Sequence, residues 1–376
     1  MNVESSTAAF LEGIDRIIFD MDGVITSEQN YWNAAALTIW EMLNSNKYFG
    51  SQNIKIDLSL QEIQEIRDTI FANDELISLL KDRGINTNWD LAYVVVGVSL
   101  IVLVDSGQWK VDREHSLGLR EITPHSPLLT PHYKHVYQYF SESSIQGYEI
   151  YDFIENKLFD ITGKPKLYFK RHGELWGICQ QVFQEWYMGD QTYFEIYGKE
   201  PEQKGKEGLV YFEQPIIPLE DLKKILKSLY SSGIRLGIGT GRPFIEIDQP
   251  ITSWGIKKYF DEQSYITYDE VAEAEEKLRW DYTGTSLAKP HPYVFLKAIY
   301  GKEYPDAVLL EGLYDRKQIE RTLIIGDAGS DIMAAKAISC KFAAVLTGVS
   351  GEKARKYFEE MKADYILSSI RELINS

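Results

Sequence analysis

Cysteine is nearly missing from this 376-residue chain. Its two copies, Cys179 and Cys340, lie far apart and outside any C-x-x-C spacing. That excludes a disulfide framework and a zinc knuckle and leaves two buried free thiols as the expectation. Positive charge is also scarce: 40 Lys+Arg against 56 Asp+Glu give a formal charge of −16. Such a surface repels polyanions, so nucleic acid is not an expected partner. No apolar run is long. The most continuous, Leu91 to Val104, is fenced by Asp90 and Asp105 and falls short of the roughly 20 residues a membrane crossing needs. It reads as a buried helix, with strand as the alternative because valine is abundant, and no membrane partner is expected. The N-terminal MNVESSTAAFLEGIDR has neither a basic stretch nor an apolar core, so no secretory signal is evident and a cytoplasmic location is the expectation. Internal repeats and low-complexity tracts are absent as well.

The length exceeds what one core usually serves, which predicts two domains. In the C-terminal third, short apolar runs alternate with amphipathic segments, the pattern of a parallel sheet covered by helices. Strands are predicted at Ile234–Ile238, Thr322–Ile325, Phe342–Leu346 and near Tyr365-Ile366. Helices are predicted at Leu219–Tyr230, Phe244–Trp254, Tyr293–Tyr300, Ser330–Ile338 and Lys353–Met361. Asp15 to Phe19 reads as one more strand, yet the next strand–helix pattern begins only near Pro218. Between them lies a Tyr- and Trp-rich stretch with amphipathic helices at Tyr31–Leu43, Leu60–Phe71 and His172–Tyr187. The predicted organisation is an α/β core from residues 1–29 and 214–376, with a mostly helical domain, residues 30–213, inserted after the first strand. A polar link, Gly198 to Gly208, precedes the return.

In a parallel sheet the ligand site lies beyond the C-terminal ends of the strands. Asp20 and Asp22 of IIFDMDGV follow the first strand. Thr240-Gly241-Arg242-Pro243 follow the next, and Gly326-Asp327-Ala328-Gly329-Ser330-Asp331 follow the TLII strand. Lys289, in AKPHPYVF, precedes a helix of the same core. Each has a bland explanation taken singly: acids cap helices, a TGR segment is a turn, and most lysines are solvated. The ordered set, strand–DxDG, strand–T, lysine before a helix, strand–GDxxxD, resembles the four motifs of the haloacid dehalogenase (HAD) superfamily. The resemblance covers roughly residues 14–28 and 214–376. It implies a Rossmann-like three-layer α/β/α core with a large, mostly α-helical cap domain inserted between the first and second motifs.

What the resemblance implies about chemistry is specific. Asp20 would be the nucleophile that forms an aspartyl-phosphate, and as an ordinary carboxylate, with a pKa near about 4, it would be ionised at pH 7. Asp22 would protonate the leaving oxygen and then activate water, which requires it to be protonated when substrate binds. Mg²⁺, which takes oxygen ligands, would be held by Asp20, Asp327 and the backbone carbonyl of Asp22, with Asp331 one helical turn on holding a metal-bound water or Lys289. Lys289 would bring positive charge to the nucleophile and the phosphoryl group. The Thr240 hydroxyl and the backbone N–H groups of Gly241 and Gly23 would meet the phosphate oxygens. Arg242 reads as a structural or surface side chain and is left outside catalysis.

The resulting expectation is a Mg²⁺-dependent phosphatase of a small phosphorylated metabolite. A phosphomutase keeps the same motifs and is the alternative, as is a non-catalytic phosphate-pocket module that binds a protein through the insert. Asp22 argues against carbon–halogen cleavage, whose enzymes lack the second acid. In the insert, Lys170, Arg171 and His172 precede a helix carrying Trp176 and Trp186. A second anion site there is weighed against a solvated basic turn before a packing helix, and the turn is preferred. His125, His132 and His135 lie close in sequence but lack the further ligands of a zinc site. Asp269–Leu278 reads as an exposed acidic helix. Neither the substrate nor the oligomeric state is legible.

Overall fold

The computed structural model describes residues 7–85, 87–111, 122–124, 133–278 and 286–375. Among these, eight strands form: β1 (Arg16–Phe19), β2 (Trp109–Val111), β3 (Ile122–Pro124), β4 (Arg235–Gly239), β5 (Phe260–Ile266), β6 (Thr322–Gly326), β7 (Lys341–Val345) and β8 (Tyr365–Leu367). The chain divides into two compact units, one of residues 1–28 and 213–376 and one of residues 29–212.

In the first unit, six strands form one parallel sheet in the order β5-β4-β1-β6-β7-β8. Parallel strands need covered faces, and the apolar residues supply both covers by alternating along each strand. Ile17 and Phe19 join Leu236, Ile238, Leu323 and Ile325 in a core shared with the helices Leu219–Ser231 and Phe244–Ser253. Ile18, one residue away, joins Ile324, Phe342 and Ala344 in a second core with the helices Tyr293–Tyr300 and Gly329–Ala337. The result is a three-layer α/β/α unit. Each fully buried Ile or Phe stabilises it by roughly 1.5–3 kcal/mol.

The register decides where the chemistry sits. Phe19 of β1 pairs with Ile238 of β4 on one side and with Ile325 of β6 on the other. The residues that follow these strands, Asp20, Thr240 and Asp327, therefore emerge at one end of three adjacent strands. β1 lies between β4 and β6, which precede and follow different stretches of chain, and such a point is where open α/β sheets bind ligands.

One strand of this sheet was not predicted. β5 reads FDEQSYI, and its polar middle, Asp261-Glu262-Gln263, hides the strand pattern. It lies at the sheet edge, where only one flank is paired and polar residues are tolerated. The acidic helix forms at Tyr268–Lys277, started by a capping box of Thr267 and Glu270.

The second unit is mostly helical. Its central helix, Asn88–Asp105, is longer than the apolar run that announces it, and by length and composition alone it could cross a membrane. Most of it is buried within its own unit, against the helices Gln29–Asn44, Tyr148–Thr162 and Glu174–Met188. A helix apolar on every side belongs in such a position. Gly97 allows the close crossing: a Cβ there would lie 2.7 Å from Ile154 Cγ2. Charges are buried here too. Lys206, within the stretch read as a polar link, sits fully buried between Glu41 at 3.0 Å and Glu185 at 2.6 Å. The short strands β2 and β3 pair antiparallel.

Candidate active site

The segment after β1 turns sharply. The Asp20 N–H still donates to the Ile325 carbonyl at 2.8 Å, which continues the β1–β6 ladder by one residue. Gly23 then takes a φ of +67°, a conformation open to glycine. The Gly23 N–H, expected at the phosphate, instead donates to the Thr26 carbonyl at 2.9 Å and closes the turn, and the Thr347 hydroxyl donates to the Gly23 carbonyl. This turn is thereby tied to the segment that follows β7.

Lys289 is held at the start of the helix Tyr293–Tyr300 by a tight turn, in which the His291 N–H donates to the Ala288 carbonyl at 2.9 Å. The Lys289–Pro290 peptide is cis. Its ammonium lies 2.8 Å from Asp20 Oδ1 and 2.8 Å from Asp331 Oδ1, and 4.8 Å from the centre of the Phe295 ring. The side chains of Lys289 and Asp20 are 12% and 11% exposed, and that of Asp331 is wholly buried. Asp331 sits in the first turn of the helix Gly329–Ala337, where its Oδ2 accepts from the Ala328 N–H at 3.2 Å.

Without a metal ion Asp20 is not an ordinary carboxylate: burial, against the pull of Lys289 and with the push of Asp331 and Asp22, raises its pKa to about 7. Burial works against the charge of Lys289 too, but Asp20 and Asp331 outweigh it and its pKa rises.

Oxygen donors converge beside Lys289. One carboxylate oxygen each from Asp20, Asp327 and Asp331 lies within 4.8 Å of the others. The space around Asp327 is kept by glycine: a Cβ on Gly348 would lie 1.8 Å from Asp327 Oδ2, and one on Gly23 2.4 Å from the same atom. An all-oxygen donor set with a cradle of this kind fits a hard divalent cation. The Asp22 side chain is not part of this cluster.

Thr240 is buried, and its hydroxyl oxygen accepts from the Arg242 N–H at 3.2 Å, which leaves its own proton for another partner. Gly241 faces open space. Of the two roles the sequence allowed Arg242, structural or surface, the fold excludes the second, because it is no surface side chain. Its side chain is 2% exposed, and its Nε lies 3.0 and 3.1 Å from the two oxygens of Asp22. Its Nη2 also bonds Asp22 Oδ1, and its Nη1 lies 3.2 Å from Glu213, itself 1% exposed. Sequence reasoning missed Glu213 altogether, along with Thr347 and Gly348. The last two had a signal, since they follow the strand FAAVL at the same sheet end as the other motifs.

An open cleft of about 410 Å³ beside Glu213, lined by Gln214 to Leu219 and Trp254, contains none of the motif residues. In the helical unit, Arg171 is committed to Asp90, with Nη2 at 2.8 Å and Nε at 3.0 Å, and the Trp176 indole donates to the same carboxylate at 2.9 Å. Arg171 of the basic turn is thus paired from inside. His125 and His132 lie outside the described residues, and His135 is on the helix Lys134–Glu142.

Residues 286–373, which include Lys289, Asp327 and Asp331, match the HAD-hydrolase-like family. An X-ray structure of a structural-genomics target is 28% identical, with a TM-score of 0.81 over 96% of this chain and 97% of that one. A candidate phosphatase from Clostridium difficile is 16% identical (TM-score 0.41, 95% of this chain and 94% of that one). A candidate haloacid dehalogenase-like hydrolase from Bacteroides fragilis is 13% identical (TM-score 0.41, 96% and 100%). Those two likenesses are too loose to bear on function. No curated protein matches the chain.

Proposed function

We propose, on the match of residues 286–373 to the haloacid dehalogenase-like hydrolases, that the chain is a Mg²⁺-dependent phosphatase of that family, acting on a small phosphorylated metabolite through an aspartyl-phosphate on Asp20. One observation carries the reading. Asp20, at the end of the central strand, is held 2.8 Å from Lys289 within a cluster of three carboxylates that fits a divalent cation.

Asp20 and Asp327, with the Asp22 carbonyl, would hold the cation, while Asp331, engaged by Lys289 and by the Ala328 N–H, would hold Lys289 or a metal-bound water. Once bound, the cation supplies positive charge that offsets the repulsion between a carboxylate and a phosphate dianion. Lys289 does part of that work already by drawing the Asp20 carboxylate toward its charged form. Asp20 attacks phosphorus, and the bond from phosphorus to the leaving oxygen breaks as Asp22 delivers a proton to that oxygen. Asp22 then takes a proton from the water that opens the acyl phosphate. The Thr240 hydroxyl and the Gly241 N–H hold the phosphate oxygens that do not react. The helical insert is read as the cap that selects the leaving group. A cytoplasmic location belongs to the same reading and is supported by two buried free thiols, Cys179 and Cys340.

The test is phosphate release from a panel of sugar phosphates, phosphoglycolate and nucleotides, with Mg²⁺ and with chelator. Release that requires Mg²⁺ and is lost in Asp20→Ala and Asp22→Ala is the expected result. Undiminished release by Asp20→Ala overturns the mechanism. Isomerised sugar phosphate without free phosphate would mark the mutase instead.

A further inference from the structure

We infer that Arg242 is the residue that positions the general acid: locked by Glu213, its guanidinium fixes the plane of the Asp22 carboxyl so that one oxygen faces the leaving group. The inference rests on the reading of Asp22 as acid and base.

The geometry carries the argument. Asp22 sits beyond the end of β1, in a turn, with a side chain 27% exposed. Nothing about that backbone would hold a short carboxyl in one plane. Arg242 does so through three contacts from two nitrogens: Nε reaches both oxygens, at 3.0 and 3.1 Å, and Nη2 adds a bond to Oδ1. Oδ1 is thereby engaged twice and Oδ2 once. Oδ2 is the oxygen with capacity left for a proton in flight.

A fork aims only as well as it is itself held. The Arg242 main chain is fixed on both sides, its N–H donating to Thr240 Oγ1 at 3.2 Å and its carbonyl accepting from the Tyr268 N–H at 2.8 Å. The far edge of the guanidinium is held by Glu213, where the chain re-enters the α/β unit. Glu213 and Arg242 are 1% and 2% exposed. Ion pairs so buried add little net stability, because desolvation cancels most of the attraction, so stability alone does not account for this one. Orientation of a reacting group does. Arg242 is argued to act through Asp22, so its role is that of a positioning residue.

Leaving groups read the effect. 4-Nitrophenolate departs without a proton, whereas phenolate is helped by one, so misplacing the acid penalises phenyl phosphate more. Across aryl phosphates running from 4-nitrophenyl to phenyl, Arg242→Met is expected to lower kcat/KM, which reports leaving-group departure and not the later hydrolysis common to the series, at least tenfold more on phenyl phosphate than on 4-nitrophenyl phosphate. Asp22→Asn should show the same slope, and the double variant should lose no more than Asp22→Asn alone. Arg242→Lys, which keeps charge but not the fork, and Glu213→Gln, which keeps shape but loosens the lock, should fall between. These two carry the test if Arg242→Met does not fold. An equal loss across the series, or a full additional loss in the double variant, overturns the inference. A flat series for Asp22→Asn overturns the acid assignment itself, and the inference with it.

Discussion

In metal-free protein, Asp20→Asn should remove a penalty that grows with pH. A carboxyl raised to about 7 by burial binds its proton in the folded state at pH values where the unfolded chain has released it, so folding stability declines as pH rises from about 4 to about 7. The full displacement is about three pH units, or about 4 kcal/mol at about 1.4 kcal/mol per unit. Between pH 5.5 and 8, where folded protein can be handled, linkage gives about 2 kcal/mol of that loss. Asparagine has the same shape and cannot ionise, and Lys289 keeps Asp331 at 2.8 Å as a partner. Urea unfolding of both proteins in chelator isolates the effect, since every other titrating group is common to the two. The expected result is that Asp20→Asn gains about 2 kcal/mol on wild type between pH 5.5 and 8 while losing phosphate release. Parallel pH profiles would refute the buried-carboxylate argument, because they would mean that Asp20 titrates alike in the folded and unfolded chain.

Other perturbations follow from the same contacts. Lys289→Met leaves Asp20 and Asp331 facing one another without a cation and should cost about 3–5 kcal/mol in urea unfolding with chelator, with part restored by adding Asp331→Asn. Gly348→Ala places a methyl 1.8 Å from Asp327 Oδ2 and should raise the Mg²⁺ concentration for half-maximal phosphate release by roughly ten- to a hundredfold; an unchanged requirement would show that Asp327 does not hold the ion. Arg171→Met strands the buried Asp90 carboxylate with the Trp176 indole and the Thr87 hydroxyl and should destabilise the helical unit by about 3–5 kcal/mol, checked by urea unfolding.

Much of the α/β unit was legible because its strands alternate or run apolar against helices, and the pattern of IIF, IRLGI, TLII and FAAVL follows directly from burial on both faces. β5 was not, since FDEQSYI at a sheet edge has too little apolar content to show a period. The central helix was legible as apolar, but its true length was not: Asn88, Trp89 and Asp90 extend it beyond the apolar run, started by Thr87 as a cap. Charges that fold inward were the least legible. Lys206, Arg171 and Arg242 all stand in polar stretches that read as turns or links, and each is tied to carboxylates far away in sequence. Asp22 and Arg242 are 220 residues apart. No local pattern announces such a pair, because what fixes it is which strands become neighbours.

Charge arithmetic then explains why the motif acids could be recognised one by one while their state could not. Around Lys289 and Arg242 the fold gathers Asp20, Asp22, Asp327, Asp331 and Glu213, two formal positive charges against five negative. A site three charges in deficit, most of it shielded from water, cannot hold every carboxylate ionised at ordinary cost. The burden falls on Asp20, which burial and its acidic neighbours push toward the protonated form. That is the form least suited to attack an anion. A divalent cation held there would relieve the same deficit and, in the proposed mechanism, would return Asp20 to the carboxylate form that attack requires. Read singly, Asp20 looks like an acid ready at pH 7. In its folded surroundings its charge depends on the positive charge brought to it, so in the proposed mechanism cation affinity and nucleophile charge would rise and fall together.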